Sequence, residues 1–103
     1  MNTRLCRFLG LDAFSTTEKL TLEAKARLDG YEWMAAAELY KRILELNAAR
    51  GDQKEQARTT VLIGNCFFKA AFQAADHQEF ERRMRLAKER YEAAAAQFRE
   101  DPR

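Results

Sequence analysis

One proline, at position 102, and four isolated glycines leave this 103-residue chain with few of the residues that break helices. That scarcity excludes collagen-like and loop-dominated architectures. Histidine occurs once, as His77, and cysteine twice, as Cys6 and Cys66, with no CxxC spacing. A metal centre or a catalytic triad needs several such side chains to converge, so the sequence points to no enzyme chemistry. Gly10, Gly30, Gly51 and Gly64 stand too far apart to build a phosphate loop, and no cofactor motif is present. The chain also lacks any run approaching the ~18 apolar residues of a membrane span. Met1 to Phe14 has neither the long apolar region nor the small-residue cleavage site of a secretory signal, so a cytoplasmic location and reduced thiols are expected.

Charge of one sign is scarce too: 18 basic against 16 acidic residues give a net charge of +2. Such an excess does not draw a phosphate backbone, so nucleic acid is not an expected partner. The basic run from Glu81 to Arg90 reads instead as a solvated helix face. Glu79–Arg83, Glu81–Arg85, Arg85–Glu89 and Lys88–Glu92 all fall at the i,i+4 spacing of surface ion pairs. Arg50-Gly51-Asp52 spells an adhesion tripeptide, but Gly51 as a helix stop and Asp52 as the next helix cap account for it fully.

What is present is helical patterning. Ser or Asp stands three residues before Glu four times, at Ser15–Glu18, Asp29–Glu32, Asp52–Glu55 and Asp76–Glu79, the spacing of a capping box. These signals place helices at about 16–28, 31–49, 53–75 and 77–99, in a single helical domain over 15–103. The fold class is all-α, a four-helix antiparallel arrangement of two hairpins. The apolar arm 1–14, with Leu5, Phe8, Leu9, Leu11 and Phe14, is expected to fold back over the core; a docking peptide, a dimer contact or a transit peptide are its other readings. Helix 2 carries Trp33, Ala36, Ala37, Tyr40, Ile43 and Leu44 on one face, and helix 4 carries Phe80, Met84, Ala87, Tyr91, Ala94 and Phe98. Helix 3 is apolar on most of its circumference, with Gly64, Phe67, Ala71 and Ala75 as a packing seam toward helix 4. Arg58, Asn65, Lys69 and Gln73 form its polar stripe.

Ala36-Ala37-Glu38-Leu39-Tyr40 and Ala87-Lys88-Glu89-Arg90-Tyr91 share an AxExY core, each followed three residues on by Ile43 or Ala94. With Ile63-Gly64 and Phe67 ahead of the second copy, the pattern resembles the tetratricopeptide repeat over roughly residues 18 to 101. The resemblance implies that Gly64 faces Ala87, Tyr91 and Ala94 within a hairpin, and that tandem hairpins present a groove to a partner peptide. The two copies lie 51 residues apart rather than about 34, which leaves open a superhelix fragment or a closed four-helix bundle. Gly64-Asn65-Cys66-Phe67-Phe68-Lys69 is similar to the GNxxFK segment of repeats that clamp peptide carboxylates, although Val61 stands where the family carries a lysine. A three-helix module resembling microtubule-interacting and transport domains is disfavoured by the fourth helix.

The expected function is therefore a non-enzymatic interaction module or adaptor with a protein or peptide partner. The candidate partner-binding residues are Arg58, Val61, Leu62, Asn65, Lys69, Phe72 and Gln73, in a groove between helices 1 and 3. The alternative is a structural or homo-oligomerising bundle, a homodimer included, in which no such groove exists.

Overall fold

The computed structural model describes residues 12–48 and 53–100. They form four helices: α1 (Asp12–Asp29), α2 (Trp33–Ala48), α3 (Gln53–Ala71) and α4 (His77–Glu100). The all-α fold and the antiparallel hairpins agree with the sequence pattern. Among the described residues each helix packs on its neighbours in sequence, and α1 and α4 do not meet. The stack is therefore open, and not a bundle closed by its first and last helices.

The core runs through all four helices, from Leu20 and Ala24 in α1 through Ala36, Ala37, Tyr40 and Ile43 in α2 to Ile63, Cys66 and Phe67 in α3 and Ala87 in α4. Half of these members are alanine or cysteine, so the helices approach closely and gain their contacts along their length. Thr59 and Thr60 are buried in α3 without cost because their hydroxyls donate to the carbonyls of Glu55 at 2.9 Å and Gln56 at 2.8 Å.

The tightest approach lies at Gly64. A Cβ built there would stand 2.9 Å from Cε1 and 3.0 Å from Cδ1 of Tyr91, so the tyrosine ring occupies the place of a side chain. The Tyr91 hydroxyl then donates to Oδ1 of Asn65 at 2.5 Å. Ala71 on α3 and Ala87 and Ala94 on α4 are buried as well.

The boundaries depart from the sequence reading in instructive ways. α1 already includes Asp12, so residues 12–14 of the expected arm are helical and Ser15 lies inside the helix rather than at its cap. Serine costs only about half a kcal/mol in a helix interior, and the flanking residues carry the helix through it. Residues 1–11 and Asp52, with the readings placed on them, lie outside the described residues.

Asp29–Glu32 is not a capping box. Glu32 NH donates to Arg27 O at 2.8 Å and Tyr31 NH to Leu28 O at 3.0 Å, the pattern of a Schellman close on α1. The Glu32 carboxylate turns to Arg27 at 2.9 Å.

α3 stops at Ala71 instead of Ala75. Its last carbonyls are taken up in a tighter turn, with Phe72, Gln73 and Ala74 donating to Lys69, Ala70 and Ala71 at 3.0 to 3.2 Å. Arg83 Nη1 reaches back from α4 to Ala70 O at 2.8 Å, which fixes that end.

Asp76 does cap α4, accepting from Glu79 NH at 2.8 Å. The Glu79 carboxylate does not return the bond and holds two arginines, Arg82 at 2.7 Å and Arg83 at 2.6 Å. Of the four expected surface pairs only Glu79–Arg83 forms among the described residues, and Glu81 turns instead to His77 at 3.3 Å. The buried face of α4 is rotated from the expected seam: half-buried Arg83, Leu86, Arg90 and Gln97 flank Ala87 and Ala94, while Tyr91 and Phe98 sit on an exposed shoulder.

Two predictions follow from these contacts. Gly64→Ala gains about 1 kcal/mol of helix propensity but displaces the Tyr91 ring, an overpacking cost of about 1–3 kcal/mol, and is expected to lower stability in urea melts. In a Tyr91→Ala background the same change is expected to stabilise; a loss of equal size in both backgrounds would place the clash elsewhere.

Hydrogen bonds from Arg82 and Arg83 hold the Glu79 carboxyl at a pKa of about 2, well below 4.5. Because the folded value is the lower, this contribution is complete above pH 4.5 and disappears as pH falls toward 2. Comparing acid melts with Glu79→Gln should show a smaller fall in stability over that window in the variant.

Candidate functional site

α3 packs with one half of its surface against α2 and α4 and leaves the other half outward. On that side Arg58, Leu62, Asn65 and Lys69 succeed one another at helical spacing, and all are exposed. Beside them a small cavity of about 110 Å³ opens between the end of α1 and the middle of α3. Leu28 closes it from α1, Trp33 and Tyr40 from α2, and Leu62, Asn65, Cys66 and Lys69 from α3. The cavity lies where the sequence placed a groove between helices 1 and 3, with α2 as its floor.

The seven sequence-nominated residues divide. Leu62, Asn65 and Lys69 line the cavity. Arg58 lies one turn up α3 and pairs with Glu55 at 3.5 Å, and Val61 is half-buried toward the α4 side. Phe72 and Gln73 lie beyond the end of α3. Phe72 is 67% exposed and stacks edge-on between Phe68 at 5.3 Å and Phe80 at 5.7 Å, centroid to centroid. It therefore belongs to an aromatic cluster at the α3–α4 turn and not to the groove.

The polar members are engaged within the chain. Asn65 accepts from Tyr91, Lys69 Nζ lies 4.8 Å from the centre of the Trp33 ring, and Gln73 Nε2 donates to Tyr31 O at 2.8 Å. Lys69 and Gln73 thus fasten the end of α3 to the α1–α2 turn. Tyr31, in that turn, has φ 61°, a left-handed conformation that glycine adopts at no cost. Its ring is exposed and meets Trp33 edge-on at 6.1 Å.

Sequence reading missed Leu28, Trp33, Tyr40 and Cys66 as lining. Trp33 and Tyr40 stand seven residues apart on one face of α2, and that spacing was assigned wholly to the core. A residue can close the core with one edge and floor a groove with another. Tyr40 is buried and borders the cavity, and among the described residues its hydroxyl has no hydrogen-bond partner. Burial pushes the Cys66 thiol up to about 11, so it is a neutral lining group and no nucleophile at neutral pH.

Among the described residues no cluster of three or more His, Cys, Asp or Glu side chains converges on a point, and no helix is long and apolar enough to cross a membrane. Compared with known proteins, the chain matches no family model, no curated sequence and no solved structure.

The left-handed Tyr31 allows a direct check. Tyr31→Gly removes a conformational cost of about 1 kcal/mol and is expected to raise the melting temperature, whereas β-branched Tyr31→Val should lower it. The opposite order would mean that the ring contact with Trp33 outweighs the backbone.

Proposed function

We propose that the chain is a non-enzymatic, cytoplasmic interaction module, built in the manner of tetratricopeptide repeats, whose α1–α3 groove binds a peptide or helical segment of a protein partner. The observation that carries this reading is the open stack: among the described residues α1 and α4 stay apart, the outward side of α3 is uncovered, and it holds a preformed cavity. The close seat of Tyr91 on Gly64 supports the hairpin likeness, since it joins a small residue of one helix to the aromatic residue of the next.

The cavity suits one anchoring side chain rather than a whole small molecule, because ligand pockets usually offer about 300–1,000 Å³. Leu62, 40% exposed at its rim, would supply apolar contact, and the amide and amine of Asn65 and Lys69 would set register.

Selection of a displayed peptide library on the purified chain tests the reading. Enriched peptides should carry one aliphatic or aromatic anchor at a fixed position, and Leu62→Glu should lower their affinity about tenfold or more without shifting the melting temperature, since only a rim contact changes. Equal enrichment on wild type and Leu62→Glu would overturn the groove.

A further inference from the structure

α4 packs only on α3, so its outer face has no neighbour among the described residues. Glu81, Arg85, Lys88, Glu92, Ala95 and Arg99 on that face are all exposed. Along their flank run half-buried Met84 and two aromatics that remain open to solvent, Tyr91 at 36% and Phe98 at 46%. The order is that of a heptad seam. Glu81, Lys88 and Ala95 recur every seven residues, as do Met84, Tyr91 and Phe98, with Arg85, Glu92 and Arg99 beside them.

Most charges on this face are also unspent. Among the described residues Arg85, Lys88, Glu92 and Arg99 form no ion pair, although Lys88–Glu92 has the spacing for one, and Glu81 meets only His77, at 3.3 Å. We propose that this face pairs with the same face of a second copy of the chain, α4 against α4, antiparallel about a two-fold axis.

Charge selects the direction and the register. In a parallel pair each charged residue of the seam would face its own copy. In an antiparallel pair a two-fold axis lays apolar flank on apolar flank and charged flank on charged flank. The register that sets Lys88 against the partner's Glu92 also sets Glu81 against the partner's Arg99 and leaves Met84 beside the partner's Ala95, each contact occurring twice. Sliding by one heptad in one direction sets Glu81 against the partner's Glu92. Sliding in the other sets Lys88 against the partner's Arg99. Both neighbouring registers are therefore repulsive, and one remains.

The inference stands apart from the groove reading, because the cavity is walled by α1, α2 and α3 alone. A dimer of this kind would carry two grooves.

A sedimentation concentration series on the full chain, with Glu81→Arg, Arg99→Glu and the double variant, provides the test. The wild type should dimerise, each single variant should weaken dimerisation about tenfold, and the double variant should restore it to within about threefold of wild type. Circular dichroism melts at concentrations low enough to keep all four monomeric should be alike, since these side chains touch nothing in the folded chain's core. A wild type that stays monomeric up to about 0.5 mM overturns the proposal, as that leaves no useful affinity. A dimer indifferent to all three variants overturns it as well, because its interface then lies elsewhere.

Discussion

Tyr91 can rest against α3 only because residue 64 carries no side chain. That one vacancy sets how near α4 comes, and the small residues above and below it, Ala71, Ala87 and Ala94, keep the two helices near along the hairpin. A core made mostly of alanines buries little apolar area per residue, so its stability has to come from close backbone approach over long helices. The second hairpin meets that requirement best, with α4 the longest helix and Gly64 at the crossing. α1, packed only on α2, meets it least.

From that approach the rest of α3 follows. With Tyr91 seated, its hydroxyl falls beside Asn65, and the outward stripe of α3 becomes a row of fasteners to three different neighbours: α4 through Asn65, α2 through Lys69, and the α1–α2 turn through Gln73. Each bond is exposed and individually weak, yet together they hold the groove walls at fixed spacing without filling the space between them. The cavity walls thus sit on helices whose relative positions the fold has already set.

Much of this was legible. Helix number, the all-α class and the Asp76 cap follow from local spacing, because caps act over one or two turns, while the Gly64–Tyr91 contact was implied only by the likeness to a helical repeat. What could not be read was anything decided by a competing side-chain partner. The pattern carries α3 on to Ala75, but Arg83 draws off the Ala70 carbonyl and Phe72 turns to the rings of Phe68 and Phe80. Asp29–Glu32 matches a capping box, but Arg27 competes for the carboxylate. Helix 4 shows Phe80, Met84, Ala87, Tyr91, Ala94 and Phe98 as one core face, yet only Ala87 and Ala94 of these are buried, while Tyr91 rests on Gly64 from the shoulder and Phe98 stays exposed. The same rotation leaves the α4 heptads facing outward.

The fasteners also determine which substitutions can report on binding. Asn65 lines the cavity and holds Tyr91, so its removal alters a wall and the α3–α4 contact together. Lys69 has the same double duty with Trp33. A polar stripe on an otherwise apolar helix suggests recognition, but substitution of two of its members would alter packing together with any affinity the proposed groove has. Leu62 lines the same cavity with its outer side in solvent and no polar bond to lose. The apolar position, which the pattern of the sequence marks as ordinary, is therefore the cleaner reporter of the proposed recognition, and the polar ones report first on the architecture.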